Sequence, residues 1–319
     1  MLIDDSLRTI IQSQKHLPLG SLNDLYVWKN SMKDLAYSFK QLTDRNRDGS
    51  LATQANRQRM LSQFADQLHD SGYKKLRAED LKGRHVNTLL ETWNKENISP
   101  ATIKNRMSVM RWWAEKVGKQ SVLSRDNASY GIENRVYVTN QSKAVELDRS
   151  KLGVIMDNHV KLSLELQAAF GLRREEAIKF QVGYADKGDH IALKPSWTKG
   201  GKERSVLVRN DQQRELLDRI KQFAGNGSLI PPEKNYYQQK NTYEKQTVKA
   251  DLHKNHGLRH QYAQDRYKEI TGRLAPAAGG RSSKELNQEE KHQDNLARLQ
   301  ISKELGHERE QITAVYLGR

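Results

Sequence analysis

Apolar residues recur at helical spacing along most of the N-terminal part of the chain. They return every three or four positions from Ser21 to about Leu42 and from about Ala52 to Asp70, and a leucine-rich stretch follows from Ala78 to about Asn94. This period gathers apolar side chains on one face of a helix. The sequence therefore predicts a small all-α domain that begins near the N-terminus.

A fourth helix is indicated by its start signal. Ser99 stands at a good N-cap position and Pro100 at the first helical position. The helix should run to about Gly118, and it carries two adjacent tryptophans, Trp112 and Trp113. Adjacent residues on a helix point about 100° apart, so at least one tryptophan should be in the core, while the other could stack on bases.

The second half of the chain follows a polar stretch without helical periodicity. We expect a helical domain over residues 1–130, a linker over 131–146 and a second domain over 147–319. The second domain opens with a helix from about Asp148 to Gly171. Two short alternating runs around a Gly-Gly turn predict a β-hairpin, His190–Leu193 with Arg204–Val208. Further helices are predicted at Asp211–Ala224, Thr242–His253, His256–Ile270 and Asp294–Leu305, with a loop at 271–290 and a short helical end. The predicted fold class is mainly α with a small β-hairpin.

The charge balance points to a polyanionic partner. The chain has 54 lysines and arginines against 39 aspartates and glutamates, for a formal net charge of +15 and a pI of about 9.7. The basic residues are spread along the chain, which favours nucleic acid as the partner.

Several classes are excluded by composition. The sequence has no cysteine, which removes disulfide frameworks, cysteine zinc sites, iron–sulfur clusters and thiol nucleophiles. It has no run of 18 apolar residues, and MLIDDSLRTI lacks the pattern of a signal peptide. We therefore expect a cytosolic protein that makes no use of a membrane.

Four clusters in the second half share one possible chemistry. In chain order they are Gly171-Leu-Arg173-Arg174-Glu-Glu176, the hairpin turn with Lys199 and Lys202, His256-Gly-Leu-Arg259-His260, and Leu305-Gly-His307 nine positions before Tyr316. Arginines bind phosphate oxygens bidentately, a lysine can protonate a leaving oxygen, histidines move protons near neutral pH, and tyrosine can be a covalent nucleophile. No carboxylate cluster accompanies them. The set suits phosphoryl transfer without a metal or other cofactor.

Each motif alone also has an ordinary explanation. Tyr316 could be a half-buried packing residue. Arg173 and Arg174 beside two glutamates could form a solvated ion-pair patch. His256 and His260, four positions apart and with His253 nearby, could bind a metal, although no acidic or cysteine partner has fitting spacing.

The order GLR, TK, HxxR, LGH and Tyr resembles that of the tyrosine recombinases, or phage-type integrases. The resemblance covers residues 147–319 well, and the N-terminal half is similar to the family's helical core-binding domain in size, composition and position. It implies an all-α core-binding domain followed by an α+β catalytic domain. The residues that match the family's catalytic set are Arg173, Lys199, His256, Arg259, His307 and Tyr316, with Glu176 as the acidic neighbour of the first arginine. Arg173 is preferred over Arg174, and Lys199 over Lys202.

The resemblance also implies a mechanism. Tyr316 would attack a DNA phosphodiester and form a 3′-phosphotyrosyl bond, with His256 in proton transfer. Arg173 and Arg259 would clamp the non-bridging oxygens. His307 would hydrogen-bond the phosphate, and Lys199 would be the general acid for the leaving 5′-oxygen.

The partners implied are double-stranded DNA, further copies of the chain as a homotetramer on two DNA sites, and an accessory DNA-bending or directionality factor. The implied role is integration or excision of a mobile element such as a phage, in the bacterial cytoplasm or nucleoid.

Further DNA contacts are expected from the basic residues Lys104, Arg106, Arg111, Lys116, Lys202 and Arg204. The first four could equally be a solvated helix face.

Two features differ from the family pattern. Arg259 and His307 are 48 positions apart, so the loop over 271–297 reads as an insertion that could touch DNA or a neighbour. Only Leu317, Gly318 and Arg319 follow Tyr316. Many relatives dock a longer segment onto the next protomer, so that contact is expected to be short, absent or made elsewhere.

Three alternatives remain. A type IB topoisomerase-like or telomere-resolving enzyme would use the same cleavage chemistry without sequence-specific synapsis. A non-catalytic DNA-binding protein of the same fold would be indifferent to Tyr316→Phe. RNA binding has no recognised module in the sequence.

Replacing Arg173 tests the first cluster. Loss of a phosphate-clamping arginine should raise the barrier by about 3 kcal/mol or more, which slows DNA cleavage roughly 10²-fold or worse. The measurement is the rate of DNA cleavage by Arg173→Ala. Cleavage at the full rate would contradict the role given to this cluster.

Overall fold

The computed structural model describes residues 34–134, 136–307 and 309–319. The first half of the helix predicted from Ser21 lies outside the described residues. Its second half is α1, Asp34–Arg45. Three further helices complete the described part of the first unit: α2 (Leu51–Asp70), α3 (Gly83–Lys95) and α4 (Pro100–Lys116).

Side-chain caps set where two of these helices begin. The Ser50 hydroxyl accepts from the backbone N–H of Thr53 at 3.2 Å, and that of Ser99 accepts from Thr102 at 3.4 Å. Both caps satisfy N–H groups that have no partner inside the helix. The starts predicted for α2 and α4 are thus correct to within a residue.

Aromatic residues fill the core of the first unit. The rings of Phe64 and Trp93 are fully buried, with centroids 5.3 Å apart. Trp113 is also buried, and its indole N–H donates to the Ala78 carbonyl at 3.0 Å. Trp112 donates instead to the Asp48 carboxylate, and the guanidinium of Arg57 lies 3.9 Å from its ring centroid. One tryptophan of the pair is therefore core, as predicted.

The single helix predicted over Ala78–Asn94 is wrong. A short 3₁₀ turn, Ala78–Asp80, is separated from α3 by extended backbone at Lys82. The Asp80 carboxylate accepts from the N–H of Arg77, and Nδ1 of His85 accepts from the N–H of Lys82. These two local hydrogen bonds close separate turns, and periodicity alone does not reveal them.

The second compact unit, Val136–Arg319, combines helices with one small sheet. Strands β1 (His190–Leu193) and β2 (Arg204–Leu207) pair antiparallel, with His190 opposite Leu207 and Leu193 opposite Arg204. The described helices are α5 (Arg149–Val154), α6 (Asn158–Phe170), α7 (Arg174–Ile178), α8 (Val182–Ala185), α9 (Asp211–Ala224), α10 (Tyr236–Lys249), α11 (Gly257–Thr271), α12 (Gln288–Glu304) and α13 (Glu310–Leu317). The predicted fold class, mainly α with a β-hairpin, is confirmed.

The main core of this unit lies between α6, α11 and α12. Phe170 on α6, Ala263 on α11 and Ile301 on α12 are fully buried members of one cluster. The cluster also includes Tyr316 and Leu317 of α13. The helix that bears the predicted nucleophile is therefore packed on the centre of its own unit.

Three predicted helices in this unit have the wrong bounds. The helix from Asp148 to Gly171 is two helices, because the Asp157 carboxylate caps a new helix by accepting from the Val160 N–H at 3.1 Å. Helix α10 begins at Tyr236, ahead of the predicted Thr242. Helix α12 begins at Gln288 because Asn287 and Glu290 form a reciprocal capping box.

The expected loop after α11 is partly packed. It holds a 3₁₀ turn, Pro276–Ala278, in which Pro276 and Ala277 are buried. A Cβ added at Gly318 would lie 2.7 Å from the backbone nitrogen of Ala277. This segment thus lies against the end of α13. Within the described ranges, no helix is long and apolar enough to cross a membrane.

Candidate active site

A sharp turn after α6 places Arg173 at the site. Gly171 ends α6 with a φ of 61°, and a Cβ there would lie 2.5 Å from the ring of Tyr262. Glycine is needed for both the left-handed backbone and the close approach. Arg173 then stands as the N-cap of α7, and its Nη1 donates to Oε1 of Glu176 at 2.8 Å.

Glu176 is the buried counter-charge of the site. Its side chain is 0% exposed, and it accepts from the backbone N–H of Arg173 at 2.7 Å and from Nη2 of Arg204. Burial by itself would raise the pKa of this carboxyl, but the guanidinium groups of Arg204, Arg259 and Arg173 hold the pKa below its ordinary value. Glu176 is therefore ionised at neutral pH.

Arg259 joins three of the sequence motifs. It lies in the first turn of α11 and is 1% exposed, and its guanidinium donates to the backbone carbonyls of Gly171 and Leu305. Its Nη2 is also 3.3 Å from Nε2 of His307. Burial and the charges of Arg204 and Arg173 lower the pKa of Arg259 to about 10, so it stays a cation at neutral pH.

The side chain of Tyr316 is in hydrogen-bond contact with that of His256. The phenol oxygen is 3.2 Å from Nε2 of His256, which is the N-cap of α11. Burial, and then the charges of Arg259 and Arg173, lower the pKa of His256 below its ordinary value of about 6.5. His256 is therefore neutral at pH 7 and able to accept a proton.

His307 is held by a second hydrogen bond. Its Nδ1 is 3.0 Å from the hydroxyl of Thr313 on α13. Burial and the charges of Arg259, Arg173 and Arg204 lower its pKa to about 3, so this imidazole is also neutral. Because a guanidinium can only donate, Nε2 accepts from Nη2 of Arg259, which leaves Nδ1 to carry the proton and donate to the Thr313 hydroxyl.

The hairpin turn brings in a lysine. Lys199 is exposed beside Gly200 and Gly201, whose φ values are 91° and 68°. The hydroxyl of Thr198 donates to the Lys202 carbonyl at 2.6 Å and closes the turn.

A cavity of about 940 Å³ is lined by Lys199 and Lys202 together with Arg173, His256, His307 and Tyr316. The structure thus brings five of the six predicted catalytic residues to one cavity. The sixth, Arg259, lies behind it, in hydrogen-bond contact with His307.

The helix of Tyr316 is fixed through its backbone. Nε2 of Gln264 donates to the Tyr316 carbonyl at 3.0 Å, and Nη1 of Arg298 donates to that of Gly318 at 2.8 Å. Asn140 exchanges two hydrogen bonds with the backbone of Arg319. The three residues after Tyr316 therefore bind their own unit.

The sequence left alternatives at two positions. Arg174 pairs with Glu244 on α10 at 2.8 Å and does not line the cavity, whereas Arg173 does. Lys199 and Lys202 both line it, so the choice between them stays a prediction.

The residues predicted to contact DNA have varied surroundings. Lys104 donates to Asn134 at 3.2 Å, Arg111 to the Ser124 carbonyl at 3.1 Å, and Lys116 to Glu115 at 3.2 Å. Arg106 is 7% exposed, and its guanidinium lies 5.1 Å from the ring centroid of Trp93, inside the first unit. The burial of Arg106 speaks against its contact with DNA, which stays a prediction for Lys104, Arg111, Lys116 and Lys202.

Two further residues take roles that the sequence did not reveal. Arg204 was expected at DNA, but it is buried, pairs with Glu176 and donates to the Glu304 carbonyl. The alternating pattern of β2 indicates on which face of the strand Arg204 lies, but it does not indicate that Glu176 is its partner. Thr313, three positions before the tyrosine, carried no signal. Among the described residues, no group of three or more histidine, cysteine, aspartate or glutamate side chains could hold a metal ion.

Two family models match this chain. The model described as "Phage integrase, N-terminal" matches residues 32–123, and the model described as "Integrase" matches residues 135–265. The chain belongs to the tyrosine recombinase family, the phage-type integrases. A comparison of this integrase with curated protein sequences finds no match.

Solved structures share the fold of this integrase. A lambda integrase dimer bound to a COC′ core site matches with a TM-score of 0.59 at 14% identity, over 99% of this chain and 86% of that one. The Tn1549 transposon integrase with circular intermediate DNA matches at 0.53 and 12%, over 91% and 96%. The XerH recombinase bound to a palindromic difH substrate matches at 0.52 and 16%, over 97% and 89%.

The depressed pKa of His256 predicts a pH profile. A base must be neutral to act, so activity is present above the pKa of His256 and is lost as the pH falls through it. We expect the second-order rate of DNA cleavage at subsaturating DNA, which reports the free enzyme, to have an acid midpoint below about 6.5. The variant His256→Gln should lack this limb. A wild-type midpoint at or above the ordinary histidine value would contradict the assignment.

Proposed function

We propose that this integrase is a site-specific recombinase that cuts and rejoins duplex DNA through Tyr316. One observation carries the proposal: the Tyr316 hydroxyl is 3.2 Å from a neutral His256 at a cavity that Arg173 and Lys199 also line. A phenol beside a base can become a nucleophile, and the cations supply the charge that a phosphodiester needs.

The first step is nucleophilic substitution at phosphorus. The Tyr316 oxygen attacks a DNA phosphodiester while its proton passes to Nε2 of His256. The bond from phosphorus to the 5′-oxygen breaks, and Lys199 gives that oxygen a proton. The products are a 3′-phosphotyrosyl bond and a free 5′-hydroxyl, so atoms and charges balance.

The arginines stabilise the charge that develops on phosphorus. Arg173 and Arg259 donate to the non-bridging oxygens, and His307 adds a hydrogen bond to the phosphate. Glu176 orients the guanidinium of Arg173 from behind at 2.8 Å. Because these donors are ordered before DNA arrives, their stabilisation requires little rearrangement in the transition state.

Rejoining reverses the chemistry on a second duplex. A 5′-hydroxyl from the partner strand attacks the phosphotyrosine and gives its proton back to Lys199, and Tyr316 leaves with the proton that His256 holds. The bond energy is conserved, so no ATP is consumed. This reaction would integrate or excise a mobile element such as a phage, in the bacterial cytoplasm or nucleoid.

Assembly on two DNA sites follows from this reaction. Structures of similar fold include a lambda integrase tetramer bound to a Holliday junction. We infer a homotetramer, helped by an accessory DNA-bending or directionality factor. The net charge of +15 supports phosphate-dominated, salt-sensitive binding, in which Lys104, Arg111, Lys116 and Lys202 are the candidate contacts.

The decisive test is relaxation of a supercoiled plasmid in EDTA, with SDS trapping of covalent adducts. The plasmid carries the DNA on both sides of the coding gene. We expect the wild-type protein to relax it and to form an adduct, and Tyr316→Phe to do neither. Tyr237→Phe is the matched control, because Tyr237 is 63% exposed and outside the cavity.

Each result distinguishes the candidate functions. Equal behaviour of the wild type and Tyr316→Phe would contradict the proposal and favour a non-catalytic DNA-binding protein. Relaxation and adducts on any plasmid, without recombination between two sites, would favour a topoisomerase-like or telomere-resolving enzyme.

A further inference from the structure

The imidazole of His260 lies against the ring of Tyr316, and the chemistry proposed above gives it no role. Its ring centroid is 4.3 Å from that of Tyr316, with 32° between the planes. The rings of His307 and His256 lie farther away, at 5.2 and 5.8 Å. His260 is thus the nearest of the three imidazoles to the Tyr316 ring.

The buried Nδ1 of His260 does not explain the position of this side chain. The residue is 4% exposed, and its Nδ1 is buried with no hydrogen-bond partner among the described residues. Burial, and then the charges of His256, Lys143 and Arg259, lower its pKa to about 4. A neutral ring whose buried Nδ1 has no partner offers the Tyr316 side chain a flat surface and no charge.

Helix α11 presents His260 beside the base. His256 and His260 are four positions apart, and their rings lie 5.5 Å from each other at 85°. The same helix fixes the backbone of α13, because Gln264 donates to the Tyr316 carbonyl. One face of α11 therefore contacts the hydroxyl, the ring and the backbone of the nucleophile.

We propose that His260 is a positioning residue whose ring face holds the Tyr316 ring in register with His256. The inference rests on the proposed function. Stacking keeps the phenol oxygen at the base before cleavage, and it keeps the phosphotyrosyl ring in place for rejoining. Because misplacement of a reacting group lowers the rate without weakening DNA contacts, the effect should fall on the rate at saturating DNA.

Two substitutions separate the ring from the nitrogens. His260→Phe keeps a flat ring and removes both nitrogens, whereas His260→Leu keeps apolar bulk and removes the ring. His292→Leu is the matched control, because His292 is an exposed histidine of α12 outside the cavity. The readouts are the single-turnover rate of adduct formation on the plasmid described above, the DNA affinity and the pH profile.

We expect His260→Leu to form the adduct roughly 10- to 100-fold more slowly than the wild type at saturating DNA. Its DNA affinity and its acid limb should be unchanged, because His256 is untouched. His260→Phe should restore most of the wild-type rate. A wild-type rate for His260→Leu, or equal slowing in both variants, would overturn the proposal.

A DNA-free readout keeps the test independent of activity. The ¹H–¹³C ring resonances of Tyr316, assigned by their loss in Tyr316→Phe, should move in His260→Leu as the stacked ring is lost. Unchanged resonances would overturn the proposal for His260, whether or not the wild type forms an adduct. Failure of the wild type to form an adduct would count against the proposed function alone. If circular dichroism shows His260→Leu to be unfolded, His260→Asn takes its place under the same criteria.

Discussion

The site depends on the interaction of the buried Glu176 carboxylate with the arginines around it. It lies in the middle of a cluster of three guanidinium groups, bonding directly to those of Arg173 and Arg204 and lowering the charge repulsion on that of Arg259. A buried charge that loses its partner is strongly destabilising, so the arginines could not be gathered here without this anion. Three cations against one carboxylate still leave positive charge, which a phosphodiester can neutralise.

Arg259 transmits this arrangement to the rest of the second unit. Its guanidinium satisfies the carbonyls at the end of α6 and at the end of α12, and it reaches His307. Segments that are far apart in the sequence are thereby fixed around one side chain. The side chains of Gln264 and Arg298 donate hydrogen bonds to backbone carbonyls at the end of helix α13, and these bonds hold Tyr316 beside His256. Tyr316 and Arg259 are thus ordered by hydrogen bonds to main-chain carbonyls, and no local sequence signal indicates these bonds.

The sequence predicted most of the helices and the hairpin, because periodicity, Ser99-Pro100 and a Gly-Gly turn are local signals. It did not predict the break at Asp157 or the early start at Gln288, because a capping carboxylate or amide overrode the apolar pattern there. The order of the motifs predicted which residues form the candidate site. It did not predict which other side chains those residues contact. The burial of Arg204 and Arg106 escaped prediction for that reason, since each is neutralised or covered by a residue remote in the sequence.

The central claim is that the hydroxyl of Tyr316 forms the covalent bond to DNA. The most direct measurement is mass spectrometry of the trapped adduct after digestion by protease and nuclease. The account predicts a nucleotide remnant on the peptide that contains Tyr316, joined through a 3′-phosphate. A remnant on another residue, or joined through a 5′-phosphate, would contradict it.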